Sequence, residues 1–113
     1  MAPEALKFNA TLLLVVLASD TQNTHALSGV RILELGQIIA GTYGGQLLSD
    51  LGAEVIKIES PTGDLGRLTS IAPYRGQSGL FLTFNRNKKS MVINLKSDKG
   101  LKIFYDLVKI SDV

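Results

Sequence analysis

The run Glu54-Val55-Ile56-Lys57-Ile58-Glu59 mixes polar and apolar residues with a period near two and stops at Ser60-Pro61. That pattern reads as a half-buried strand, because successive side chains of a strand point to opposite faces and proline cannot continue the ladder. Just before it, Tyr43, Leu47, Leu48 and Leu51 recur at helical spacing on one face, and Gly52 is placed to close that helix. Upstream again, Val30-Arg31-Ile32-Leu33-Glu34-Leu35 is rich in branched residues and ends at Gly36, the form of a short first strand.

After Pro61 the chain turns repeatedly between Thr62 and Gly79, with Gly63, Gly66, Pro73, Gly76 and Gly79 as breaks. Met91-Val92-Ile93-Asn94-Leu95 is the third strand candidate, and Ser97 can cap a helix that aligns Leu101, Phe104, Tyr105 and Val108. Strand, helix, strand and helical return define an α/β domain with a parallel sheet. Asp112-Val113 follows that last helix where a further strand is expected to start, so the domain is expected to be incomplete.

Residues 1–25 are of another kind. Ala10 to Ala18 form a short apolar run, followed by the polar Ser19-Asp20-Thr21-Gln22-Asn23-Thr24-His25. The run is far shorter than the ~20 residues that span a bilayer, so no stable membrane span is expected. Lys7 before it and small residues at its end give it a superficial signal-peptide form. A cleaved signal, a helix packed on the body and a non-native leader are the three readings of this segment.

A chain of 113 residues fits one small domain, and a hydrophobic share of 45% against 19% charged is ordinary for a globular protein. The net charge of +2 comes with no long basic run, so nucleic acid is not expected as a partner. With no cysteine, disulfide and thiolate chemistry are excluded. The one histidine, His25, has no neighbour at metal-ligand spacing, and no metal is expected.

Ligands of open parallel sheets gather at the carboxyl ends of strands. There the sequence offers Gly36-Gln37-Ile38-Ile39-Ala40-Gly41-Thr42-Tyr43-Gly44-Gly45, a glycine-eased turn into a helix. It is not the dinucleotide motif, whose glycine spacing differs, nor a P-loop, since Thr42 stands where that motif needs lysine. Asn85-Arg86-Asn87-Lys88-Lys89-Ser90 supplies cations and amides before the third strand, and Lys96 adds a cation at its far end. Glu34, Glu59 and Asp64 are spaced with no pairing of general acid and base. Residue chemistry alone describes an anion-binding α/β piece.

The order of these motifs resembles the class III CoA-transferases, the family of formyl-CoA transferase and carnitine CoA-transferase, with α-methylacyl-CoA racemase as a relative. Leu27 to Leu35 is similar to the family's opening strand. Ile39-Ala40-Gly41 with Leu48-Ser49-Asp50-Leu51-Gly52-Ala53-Glu54-Val55-Ile56-Lys57-Ile58-Glu59 resembles its first helix and second strand. Pro61, Gly63-Asp64 and Arg67 resemble the family's next loop, and the Asn85–Ser90 block with Asn94-Leu95-Lys96 resembles its most recognisable block. Leu107-Val108-Lys109 and Ser111-Asp112-Val113 are similar to the family as well. The resemblance covers Ala26 to Val113.

That resemblance implies a Rossmann-like parallel sheet with flanking helices, residues 26–113 being the N-terminal part of a CoA-binding domain. The implied reaction moves CoA between carboxylic acids through an aspartyl-CoA thioester. The attacking aspartate lies downstream of the matched region, so no carboxylate of this chain is assigned that role. Acyl-CoA and carboxylic acids are the implied partners, with coenzyme A as carrier and no metal. The implied setting is an intracellular homodimer of interlocked chains, cytoplasmic or mitochondrial. Ile39 and Ala40 match the loop that touches CoA, and Ile93, Asn94, Leu95 and Lys96 match the strand end at its adenine and phosphate portion. Arg86, Lys88 and Lys89 are expected as electrostatic helpers. Ser60 stands where several relatives carry an arginine beside the nucleotide, which implies a changed hold there. Two alternatives remain open: a racemase-like isomerase acting next to the thioester, and a non-enzymatic truncated product or CoA-binding module.

Overall fold

A computed structural model describes residues 25–113. The apolar run at 10–18 and its three readings lie outside the described residues. Three strands, β1 (Arg31–Glu34), β2 (Glu54–Glu59) and β3 (Lys89–Val92), form one sheet in the order β1-β2-β3. Both pairings are parallel, with Ile32 opposite Val55 and Ile56 opposite Lys89. Helices α1 (Ala40–Asp50), α2 (Gly79–Asn85) and α3 (Asp98–Val108) connect or follow the strands, and a short 3-10 turn covers Leu65–Leu68. Parallel neighbours require such crossovers, so the α/β class expected from the strand and helix order is the one observed.

The chain's last residues occupy the free edge of β1. The Asp112 and Val113 N–H groups donate to the Arg31 carbonyl at 2.9 and 3.3 Å, and the Leu33 N–H donates to the Val113 carbonyl at 2.8 Å. This is the bond pattern of a parallel neighbour. The chain therefore builds outward from β1 through β2 to β3, then returns to the other side of β1.

Ile32, Ala53 and Val55 form the buried core, packed by Leu27, Val30 and Leu48. Each large aliphatic side chain among them contributes roughly 1.5–3 kcal/mol when fully buried. At the end of α1, Gly52 takes φ +95°, the left-handed conformation that lets the chain turn into β2.

Several boundaries differ from expectation. β3 starts at Lys89 instead of Met91, because Asn87 turns the chain at φ +61° and frees Lys89 to pair with Ile56. Its ladder still reaches Ile93, whose N–H donates to the Glu59 carbonyl at 2.9 Å. Helix α2 was not legible in the glycine-rich stretch; Ser78 caps it by accepting the Phe81 N–H at 3.3 Å. Ser97 caps α3 as expected, accepting the Gly100 N–H at 3.1 Å.

The buried face of α1 is a correction. Tyr43, Leu47 and Leu51 are about half exposed, whereas Thr42, Gly45, Gln46 and Ser49 are buried. The helix turns its small and polar face to the sheet because the sheet beneath it carries charge. Lys57 and Glu59 of β2, expected on a solvated face, are 2% and 4% exposed.

Candidate functional site

The carboxyl ends of all three strands open onto one cleft of about 380 Å³. Leu35 and Gln37 line it after β1, Ile58, Glu59, Ser60, Pro61 and Thr62 after β2, and Ile93, Asn94, Leu95 and Lys96 after β3. Asn94 shapes the last wall: its side-chain Oδ1 accepts the Lys96 N–H at 3.0 Å, and its backbone carbonyl accepts the Ser97 hydroxyl at 2.9 Å. That local turn ends the strand and leaves Lys96 exposed at the rim. Among the described residues, Lys96 pairs with no carboxylate. The cleft thus combines a mainly apolar lining with one cation that no carboxylate engages among the described residues, which suits a flat apolar group carrying phosphate.

Its one carboxylate is already engaged. Glu59 receives the Arg67 guanidinium through two bonds of 2.7 Å, the Ser90 hydroxyl at 2.7 Å and the Asp64 N–H at 3.0 Å. Arg67 beside it, outweighing burial, holds its carboxyl down at about 2. A carboxylate with four donors neither takes a proton nor attacks an acyl group at neutral pH. Ser60 contributes a hydroxyl that meets Thr62 at 2.9 Å, and no charge.

Behind the cleft lies a charged cluster that spacing did not reveal. Lys57 Nζ sits 2.9 Å from Glu34 Oε1, 2.6 Å from Asp64 Oδ2 and 2.8 Å from the Gly36 carbonyl. Lys88 Nζ sits 2.6 Å from Glu34 Oε2 and donates to the Thr42 carbonyl at 2.7 Å. These four side chains are at most 5% exposed. Two ammonium and two carboxylate groups balance, which is the condition for keeping charge in a dry interior. Burial pulls the Lys88 ammonium below its ordinary value, with Glu34 opposing. Burial pushes the Asp64 carboxyl up, but Lys57 and the N–H groups of Gly66 and Ile38 outweigh it, so it is lowered overall. A lysine flanked by Ile56 and Ile58 in a strand of a two-sided parallel sheet was the signal available for this cluster.

The structure divides the residues singled out from sequence. Ile93, Asn94, Leu95 and Lys96 come together in the cleft. Ile39 caps the start of α1 and Ala40 begins it, both exposed beside the cleft without lining it. Arg86, Lys88 and Lys89 lie at the opposite, amino end of β3 and each meets a carboxylate: Asp50 at 2.5 Å for Arg86, Glu34 for Lys88, and Glu54 for Lys89. Glu34, Glu59 and Asp64, in which spacing showed no acid–base pair, have lysine or arginine as partners. Leu35, Gln37 and Pro61 line the cleft without having been singled out as lining. Among the described residues, no three of His, Cys, Asp or Glu gather in metal-ligand fashion. Among them also, no helix is long and apolar enough to cross a membrane.

Parallel sheet, flanking helices and a carboxyl-edge cleft define an α/β domain of the open-sheet class. Residues 27–113 match the model of CoA-transferase family III, and the chain belongs to that family. It is 44% identical over 96 residues to human succinyl-CoA:glutarate CoA-transferase, covering 84% of this chain and 22% of that protein. It is 39% identical over 92 residues to formyl-CoA:oxalate CoA-transferase of Streptomyces avermitilis, covering 80% and 22%. A CAIB/BAIF family protein from Brucella suis has the same fold, with a TM-score of 0.73 and 37% identity over 80% of this chain and 25% of that one. The chain thus spans under a quarter of the length of these two curated relatives.

Proposed function

We propose that residues 26–113 are the N-terminal part of the CoA-binding domain of an enzyme that moves CoA between carboxylic acids. The observation that carries this reading is the cleft, where the strand end Ile93–Lys96 forms one wall and Lys96 has no carboxylate partner among the described residues, while the one carboxylate is occupied. The strand end Ile93–Leu95 holds the adenine portion and Lys96 meets a phosphate. Ile39 and Ala40 border the path of the pantetheine arm. Arg86, Lys88 and Lys89 act by fixing the fold around the cleft.

The chemistry belongs to an aspartate outside this chain. Its carboxylate attacks the donor thioester carbonyl, giving a mixed anhydride and CoA thiolate. The thiolate then attacks the aspartyl carbonyl, releasing the donor acid and leaving an aspartyl-CoA thioester. The acceptor acid repeats the two steps in reverse and restores the carboxylate. In this reading the natural enzyme is an intracellular homodimer of interlocked chains.

The test is a transfer assay on the natural product captured with an antibody against residues 26–113. With acyl-CoA and a labelled carboxylic acid, label should appear in a new thioester, and an aspartyl-CoA species should be trapped by hydroxylamine. Lys96→Ala should raise the KM for acyl-CoA by about five- to tenfold. Exchange of the proton next to the thioester without transfer would assign the racemase reaction instead, and CoA binding without either would leave a binding module.

A further inference from the structure

Ile38 has a φ of +62°. A β-branched residue is strained in that left-handed region, and a half-exposed side chain gains too little packing to offset it. What holds the conformation is a pair of anchors on the turn Gly36-Gln37-Ile38. At one end the Gly36 carbonyl accepts the Lys57 ammonium at 2.8 Å. At the other the Ile38 N–H donates to Asp64 Oδ1 at 3.1 Å, the oxygen that also accepts the Gly66 N–H at 2.6 Å. Lys57 and Asp64 are joined to each other at 2.6 Å, and Lys57 is fixed in turn by Glu34. The base of the turn is pinched shut, since a Cβ placed on Gly36 would lie 2.8 Å from the Gly41 Cα. Gln37, the one residue between the two anchored positions, lines the cleft.

We propose that Asp64 is a positioning residue: with Lys57 it holds the strained Gly36–Ile38 turn so that Gln37 faces the cleft's ligand. The ligand is a CoA thioester on the function proposed above, on which this part of the inference rests. Asp64 touches no ligand itself and acts through the backbone of Ile38. A carboxylate suits the role because it accepts two N–H groups on one oxygen while its other oxygen meets the ammonium.

The test uses the whole natural product and reads CoA affinity by calorimetry together with hydrogen exchange of the Ile38 amide. Asp64→Ala should weaken CoA binding about tenfold, the factor that one relaxed left-handed residue is worth. Ile38→Gly in the Asp64→Ala background should recover the affinity to within about threefold, because glycine adopts a positive φ without the anchor. A general loss of structure would not be rescued in this way. If Asp64→Ala does not fold, Ile38→Pro serves from the other side of the bond. It removes the donor and forbids the positive φ in an exposed loop, and it should lose the same factor with an unchanged melting midpoint. Asp64→Ala binding within twofold of the parent, or no rescue by glycine, would overturn the proposal. If the parent protein binds no CoA, the functional reading fails and the exchange data decide. An Ile38 amide exchanging at least about tenfold faster in Asp64→Ala supports the anchor, and equal rates overturn it.

Discussion

Replacing Lys57 by methionine keeps the length of the side chain and removes its charge. Lys57 is 2% exposed and bridges Glu34 and Asp64, whose side chains are 5% and 1% exposed. The change turns a neutral cluster into one with two buried carboxylates facing the single ammonium of Lys88. Glu34 retains Lys88, and Asp64 retains only the N–H groups of Ile38 and Gly66. Removing one partner from a buried charge network costs roughly 3–5 kcal/mol, because the remaining charges stay desolvated. For a protein held together by roughly 5–15 kcal/mol, that is a large part of the total. Urea denaturation followed by circular dichroism measures it. Adding Glu34→Gln removes one of the two buried negative charges and should recover at least ~1 kcal/mol, a coupling typical of contacting residues. A Lys57→Met protein within ~1 kcal/mol of the parent would refute the claim that this lysine is charged and indispensable to the interior.

Two adjacent glycines of α1 should respond oppositely to alanine. A Cβ at Gly45 would lie 1.9 Å from Glu34 Oε2, an atom pinned by Lys88, so Gly45→Ala should destabilise by at least ~2 kcal/mol. Nothing lies within 4 Å of a Cβ at Gly44, and Gly44→Ala should stabilise the helix by up to ~1 kcal/mol in the same melts. Acid unfolding tests Glu59. Its folded pKa of about 2 lies below the ordinary 4.5, so its contribution is present above about pH 4.5 and lost as pH falls towards 2. The gap converts to roughly 3 kcal/mol, less after solvent screening of the partly exposed Arg67. Glu59→Gln should flatten the stability curve across that window, and an unchanged slope would count against the pairing.

The strands, α1 and α3 were readable because branched runs and helical spacing respond to local geometry, and the parallel arrangement follows from their order. The inward face of α1 was not readable. Tyr43, Leu47 and Leu51 form the apolar stripe that spacing rewards, yet the buried face follows Thr42, Gly45 and Gln46. The reason lies elsewhere in the chain, in Glu34 and Lys88, which sit 54 residues apart and meet only after folding. The cleft was half legible: Ile93–Lys96 share one strand end, but Leu35, Gln37 and Pro61 join them through the sheet. The partners of Arg86 and Lys89 were not legible, because Asp50 and Glu54 stand opposite them across 36 and 35 residues.

The two edges of β1 are filled at very different moments of synthesis. Its inner neighbour arrives with Glu54, 23 residues after Arg31, whereas Asp112 reaches the outer edge only 81 residues after it. At a ribosomal rate of roughly 5–20 residues per second, about 4–16 s separate the emergence of Arg31 from that of Asp112. Through that interval the Leu33 N–H and the Arg31 carbonyl stand unpaired, a bare strand edge on which another nascent chain can add. Sheet growth from β1 to β3 does nothing to shorten it. Helix formation takes on the order of microseconds, so the pace of translation between β1 and Asp112, and not the folding of α3, sets how long each newly made molecule stays adhesive.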